Sequence, residues 1–221
     1  MMRIGFVHTI PSLVDYFRVE MAAQLPYADC FQVLNESVLQ DLTRGEDRVL
    51  VYRRVVRQVM LVADAGADLI VTTCTSTSPA VDIARQICPV PVLKVDDPMA
   101  SEAVRIGRRI AVLCTNTNTP GPSAALLRQH AATQGREVLV ETVVRPEAYT
   151  ALFAGDPARH DAILTEAAEE VAGRADVLVL AQPGLAHLQA PLGRYGKPVL
   201  SSPQLLIAEL IRRLAPAPAA V

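Results

Sequence analysis

The sequence predicts an α/β protein of two similar, pseudo-twofold-related lobes. Each lobe is a short, mainly parallel sheet flanked by helices, and a cleft lies between them. Three observations carry this expectation. Apolar, β-branched runs alternate with helical patterns along the whole chain, the signature of strands joined by crossover helices. The pattern is written twice: Arg3-Ile4 recurs 106 residues on as Arg109-Ile110, "ADLIV" at 67 recurs 108 on as "ADVLV", and "PVL" at 91 recurs 107 on. Hydrophobic residues make up 51% of 221, enough to bury a core in one large domain or two smaller ones.

In the first unit the strands read "RIGFVH" (3–8), "CFQVLN" (30–35), "LIVTTC" (69–74) and "VPVLKV" (90–95), with helical patterns over 12–25, 46–66, 78–87 and 98–106. In the second they read "RIAVLC" (109–114), "VLVETVV" (138–144), "VLVLAQ" (177–182) and "KPVLSS" (197–202), with helices over 121–134, 158–173, 185–192 and 203–214. The repeat divides the chain into an N-terminal lobe, 1–106, and a C-terminal lobe, 107–214. The closing "APAPAAV" (215–221) lacks periodicity and reads as a flexible tail.

Composition removes several function classes. A net charge of −2 gives no electrostatic case for nucleic acid or an anionic membrane, and 4% aromatics without tryptophan supply few stacking platforms. No apolar run approaches the roughly 20 residues that span a bilayer. The opening "MMRIGFVHTIP" enters a strand without the head and apolar core of a signal peptide, so a cytoplasmic protein with reduced thiols is expected. Cys30, Cys74, Cys88 and Cys114 lack paired CxxC spacing, which argues against a zinc site or disulfide framework. With no GxGxxG and no GKS/T, nucleotide cofactors are disfavoured.

Parallel sheets bind ligands beyond the carboxyl ends of their strands. Those ends here are "HTIPS" (8–12), "TTCTSTS" (72–78), "CTNTNTPGPS" (114–123) and "AQPGLAHL" (181–188). Hydroxyls and backbone N–H groups at helix starts can hold a carboxylate without a cation. "TSTS" and "TNTNT" offer more of them than one cap needs. Cys74 ends a strand and precedes a helix start, where the dipole and nearby donors are expected to lower its pKa; the bland alternative is a small buried hydrophobe. Cys114 ends the analogous strand, whereas Cys30 and Cys88 read as structural. His8 reads as a base, a ligand orienter, or a histidine satisfied by a backbone carbonyl. His130 and His160 read as surface helix positions, His187 as lying inside a helix, and Asp96-Asp97-Pro98 as a helix cap.

The duplicated layout, "TTCTSTS" after the third strand and "ADVLVLAQPGLAHL" in the matching place, resembles the aspartate/glutamate/hydantoin racemase superfamily, which also includes maleate isomerase and arylmalonate decarboxylase. The likeness runs over nearly the whole chain. It implies cofactor- and metal-free proton transfer beside the carboxylate of a small acid or amino acid, and a homodimer. Members carry one cysteine at each of the two strand ends, on opposite faces of the substrate. Cys74 matches the first. Where the second segment would read "LGCTGL", this chain has "LAQPGL", so Gln182 stands in the thiol position. An amide is neither a useful acid nor a base near neutrality. The expectation is therefore an isomerase or racemase in the broad sense, with Cys74 as the single cysteine acid/base. Thr9, Pro11, Thr75, Ser76, Thr115, Asn116, Thr117 and Gln182 are expected to contact substrate. Other chemistry stays open: protonation of an enolate left by decarboxylation of a malonate-like acid, nucleophilic attack by Cys74 in another lyase, Cys114 or His8 as a second base, or a lapsed enzyme that only binds carboxylates.

Overall fold

The computed structural model describes residues 2–214. All eight predicted strands are present: β1 Arg3–His8, β2 Asp29–Leu34, β3 Leu69–Thr72, β4 Val92–Lys94, β5 Arg109–Cys114, β6 Leu139–Val144, β7 Val177–Leu180 and β8 Val199–Ser201. They form two four-stranded parallel sheets, ordered β2-β1-β3-β4 and β6-β5-β7-β8. The helices are α1 Pro11–Gln24, α2 Glu36–Arg44, α3 Arg48–Asp64, α4 Ser78–Arg85, α5 Asp97–Ile106, α6 Pro120–Thr133, α7 Pro146–Phe153, α8 Pro157–Ala172, α9 Gln189–Leu192 and α10 Ser202–Leu214. The tail reading falls on residues 215–221, outside the described range.

The repeated sequence anchors bond to each other in both lobes. Asp68 Oδ2 accepts from Arg3 N at 2.7 Å, and its counterpart Asp176 Oδ2 accepts from Arg109 N at 2.8 Å. Each aspartate thus satisfies the first amide of its central strand, a donor that would otherwise face solvent. Local chemistry explains the helices in the same way. Asp47 Oδ1 caps α3 by accepting from Val49 N, after which Val51, Val55, Val59 and Val62 form its buried stripe. Gly5 has to be glycine, because a Cβ there would stand 2.2 Å from Val62 Cγ1, where α3 lies against β1.

Packing does not follow the boundary of the repeat. Met99, Ala100, Ala103 and Val104 of α5 are buried with Ile110, Val112 and Val179 of the second sheet. Conversely, Leu206, Ile207 and Leu210 of α10 are buried with Ile4, Phe6 and Leu93 of the first. Each lobe's closing helix therefore completes the other lobe's core. At about 1.5–3 kcal/mol per fully buried aliphatic side chain, the exchanged residues are a substantial tie between the lobes.

Helices α2 and α7 have no counterpart among the predicted elements. They occupy matching places, one after the second strand of each lobe, and both end up beside the interlobe cleft.

Candidate active site

The carboxyl ends of β1, β3, β5 and β7 open onto one cleft of about 600 Å³ between the lobes. The first lobe lines it with Thr9–Ser12, Thr73–Ser76 and one face of α2; the second contributes Thr115, Asn116, Thr119, Gln182–Leu185, Tyr149, Leu152 and Phe153 of α7, and His160 of α8.

Cys74 and Gln182 occupy equivalent backbone positions. The residue before each pairs with the central strand, Thr73 N to Val7 O at 3.1 Å and Ala181 N to Leu113 O at 3.0 Å. Both are extended (φ −118°, ψ 110° and φ −138°, ψ 129°) and both start a 3-10 turn. Cys74 is half-buried and lines the cleft. Burial pushes its thiol up, against the Thr9 hydroxyl, the Thr77 and Ser76 backbone amides and the Thr77 hydroxyl, all of which favour the thiolate. This corrects the expectation of a lowered pKa: the turn that leads into α4 does supply donors, but desolvation of the sulfur outweighs them. The resting group is a thiol surrounded by donors ready for its conjugate base.

The predicted substrate contacts divide by what their polar atoms already do. Thr115 donates its backbone amide (2.6 Å) and its hydroxyl (3.1 Å) to Gln182 Oε1. A backbone N–H can only donate, so the bonded atom is the oxygen, and Gln182 Nε2 is left to the cleft. Asn116 Oδ1 likewise accepts from Asn118 N at 2.8 Å, which leaves Asn116 Nδ2 as a donor. Ser76 Oγ lies 3.4 Å from Thr119 Oγ1 across the lobes. Thr9 Oγ1 is buried beside the Cys74 sulfur without completing a hydrogen bond among the described residues. Pro11 lines the cleft wall.

Two hydroxyls are less available than their positions suggest. Thr75 Oγ1 faces Asp96 Oδ2 at 2.5 Å and Ala181 O at 3.1 Å, and Thr115 Oγ1 is committed to Gln182. Thr117 is a correction: it is exposed and outside the cleft, because the Asn116–Asn118 side-chain turn swings it outward, and Thr119 takes the inward place.

Neither candidate second base reaches the cleft lining. His8 is buried between Thr73 Oγ1 (2.8 Å from Nδ1) and Gln32 Oε1 (2.6 Å from Nε2), and burial holds its pKa below the ordinary value. It braces the ends of β1 and β2. Cys114 is fully buried, its Sγ 3.8 Å from Val143 O, with its thiol pushed up to about 12 by burial. Asp96 does not cap α5. Its carboxyl is buried against Thr75 and raised to about 6 by desolvation, while Asp97 accepts from Lys94 N at 2.7 Å.

His160, read from sequence as a surface position, is only 2% exposed and lines the cleft. It heads the buried stripe of α8 with Ile163, Leu164, Ala167 and Val171, and that i, i+3/i+4 spacing was the signal available in the sequence. Asp161 Oδ1 accepts from His160 Nδ1 at 2.7 Å and from His187 Nε2 at 2.9 Å. Donor atoms of the three lie within 4.8 Å of one another. One carboxylate oxygen is thus shared by two ring N–H groups, while His160 Nε2 has no partner among the described residues.

The duplicated sheets and a thiol at one strand end can be compared with known proteins. The sequence profile of the Asp/Glu/Hydantoin racemase family matches residues 18–210. The chain belongs to that family. No curated protein sequence matches this racemase-family chain. Among solved structures it is similar to glutamate racemase from Francisella tularensis subsp. tularensis in complex with D-glutamate (TM-score 0.72, 15% identity, covering 96% of this chain and 81% of that one). It is also similar to glutamate racemase from Aquifex pyrophilus (TM-score 0.68, 18% identity, 96% and 84% covered) and allantoin racemase from Pseudomonas fluorescens (TM-score 0.62, 20% identity, 100% and 99% covered). The shared feature is the two-lobe fold.

Proposed function

We propose that this family member is a racemase-type enzyme that works without a cofactor at the carbon alpha to a carboxylate, with Cys74 as its cysteine acid/base. The observation that carries this reading is the placement of Cys74 at a strand end in a cleft it shares with uncharged donors, of which Gln182 Nε2 and Asn116 Nδ2 are free. Gln182 Nε2, Asn116 Nδ2 and Ser76 Oγ are suited to a carboxylate and to the charge that builds on it as the α-proton leaves. Losing one such donor typically costs about 2.7–4 kcal/mol of barrier stabilisation. A thiol with a raised pKa is protonated at neutral pH and can return a proton to the enediolate carbon from the first-lobe face. The thiolate it leaves is received by Thr9, Ser76 and Thr77. The apolar wall of Leu39, Tyr149, Leu152 and Phe153 favours an acid with a hydrophobic substituent.

The test is α-proton exchange in D2O, followed by NMR for each enantiomer of glutamate, aspartate, allantoin and 2-phenylpropionate, with Cys74→Ala as control. Exchange that depends on Cys74 is expected; its absence across the panel defeats the reading. Gln182 at the position equivalent to Cys74 favours one alternative, a decarboxylase in which Cys74 protonates the enediolate left by loss of CO2. Phenylmalonate in the same panel separates the two, because only the decarboxylase releases CO2.

A further inference from the structure

Gln182 leaves the second-lobe side of the cleft without a titratable group at the strand end, yet an imidazole stands close by. His160 is tied to that side: its Nδ1 meets Asp161 Oδ1, which also meets His187 Nε2, and His187 Nδ1 lies 3.1 Å from Gly184 O in the turn that Gln182 opens. A carboxylate only accepts, so Nδ1 of His160 carries a proton and the neutral ring has its lone pair on Nε2. Nε2 is buried and has no partner among the described residues. A buried, oriented and unpartnered ring nitrogen on a cleft residue calls for a ligand to complete it.

We infer that His160 is the second proton-transfer group of this cleft, acting from the second lobe while Cys74 acts from the first. The inference rests on the reading of the cleft as a site for chemistry at an α-carbon. In one direction the C–H bond breaks as its proton passes to His160 Nε2, and the electron pair moves into the carboxylate as an enediolate. Cys74 then gives its proton to the opposite face, forming the new C–H bond and leaving a thiolate opposite an imidazolium stabilised by Asp161. The reverse direction takes a proton by the thiolate and returns one from the imidazolium. Atoms and charge balance in both, and no co-reactant is needed. The pairing is of unlike groups, so the two faces need not exchange protons at equal rates or with one pH dependence.

A probe with an electrophilic α-carbon tests the placement without turnover. Each enantiomer of 2-bromopropionate is incubated with the intact protein and the modified residue is mapped by mass spectrometry; bromide leaves as the S–C or N–C bond forms. One enantiomer is expected to alkylate Cys74 and the other His160. Alkylation of Cys74 with His160 untouched by both overturns the inference and leaves the proposed function standing. Failure to modify Cys74 counts against the proposed function instead, while His160 is still judged by its own modification. With an acid that the wild type racemises, His160→Gln should reduce racemisation by about 100-fold or more. Exchange of the enantiomer facing His160 should fall at least about tenfold further than exchange of the enantiomer facing Cys74. Equal loss of exchange from both enantiomers would mark a merely structural histidine and refute the assignment. So would activity lost to a chelator and restored by zinc, which would make the trio a metal site.

Discussion

The ends of β3 and β7 have the same backbone and opposite chemistry. Each extends from its strand, pairs one residue back with the central strand and enters a 3-10 turn. At the first end the residue is a thiol enclosed by donors; at the second it is an amide whose oxygen is anchored by Thr115. The duplicated frame thus fixes where a side chain will stand without fixing what it does. A titratable group at one end and a neutral donor at the other make the two strand ends of the cleft chemically unlike.

Removing the thiol should break this contrast most severely. Cys74→Ala is expected to lower α-proton exchange by about 1,000-fold or more, within the range of a lost acid/base, while the circular dichroism spectrum stays unchanged. In the wild type, iodoacetamide should alkylate Cys74 with an inflection at higher pH than a free cysteine, since burial raises its pKa. Gln182→Ala attacks the other end. It removes a donor and releases Thr115, and kcat should fall by about 100-fold while Cys74 keeps its alkylation profile.

The exchanged helices sharpen the comparison through stability. Leu206→Ala and Met99→Ala should each cost about 2–5 kcal/mol in denaturant unfolding. Amide protection should be lost chiefly in the first lobe for Leu206 and in the second for Met99, the lobe that receives each helix rather than the one that encodes it.

The smallest expected effect concerns the residue after β4. Asp96 is buried with a folded pKa of about 6, above its unfolded value near 4, so the folded state holds this proton more tightly. Its contribution is most favourable below pH 4 and is lost as pH rises through 6, a swing of roughly 3 kcal/mol at most. Asp96→Asn should flatten the pH dependence of the unfolding free energy in that window. An unchanged slope between pH 4 and 8 would show that the carboxyl is not held neutral.

Alternation and repetition made all eight strands and their strand-end loops legible, because buried parallel strands are continuous apolar runs and the two copies check each other. The cleft walls were not. Helix α2 buries only Val38 and Leu42, and α7 only Ala148, while Leu152 and Phe153 are 46% and 74% exposed. Leu39, Leu152 and Phe153 line the cleft, and at nine and eight residues the two helices are too short to display a repeated helical period. The readable marks were punctuation: Asn35 capping α2 with Gly45 at φ 79° after it, and Pro146 opening α7. Among the cleft side chains, Cys74, Asn116 and Gln182 could be located from their strand ends. The division of hydroxyls into free and committed could not, because Thr75 answers to Asp96 and Ala181, 21 and 106 residues away. His160 departs from the surface position expected of a helical histidine because the buried stripe of α8 begins with it.

The traded helices also govern how this molecule can come apart. A cut at residue 106 would leave the first sheet without the Leu206–Leu210 face that covers it, and would strand α5 away from the sheet it covers. Neither half of the duplication is a self-sufficient folding unit, and the two lobes should melt in a single transition.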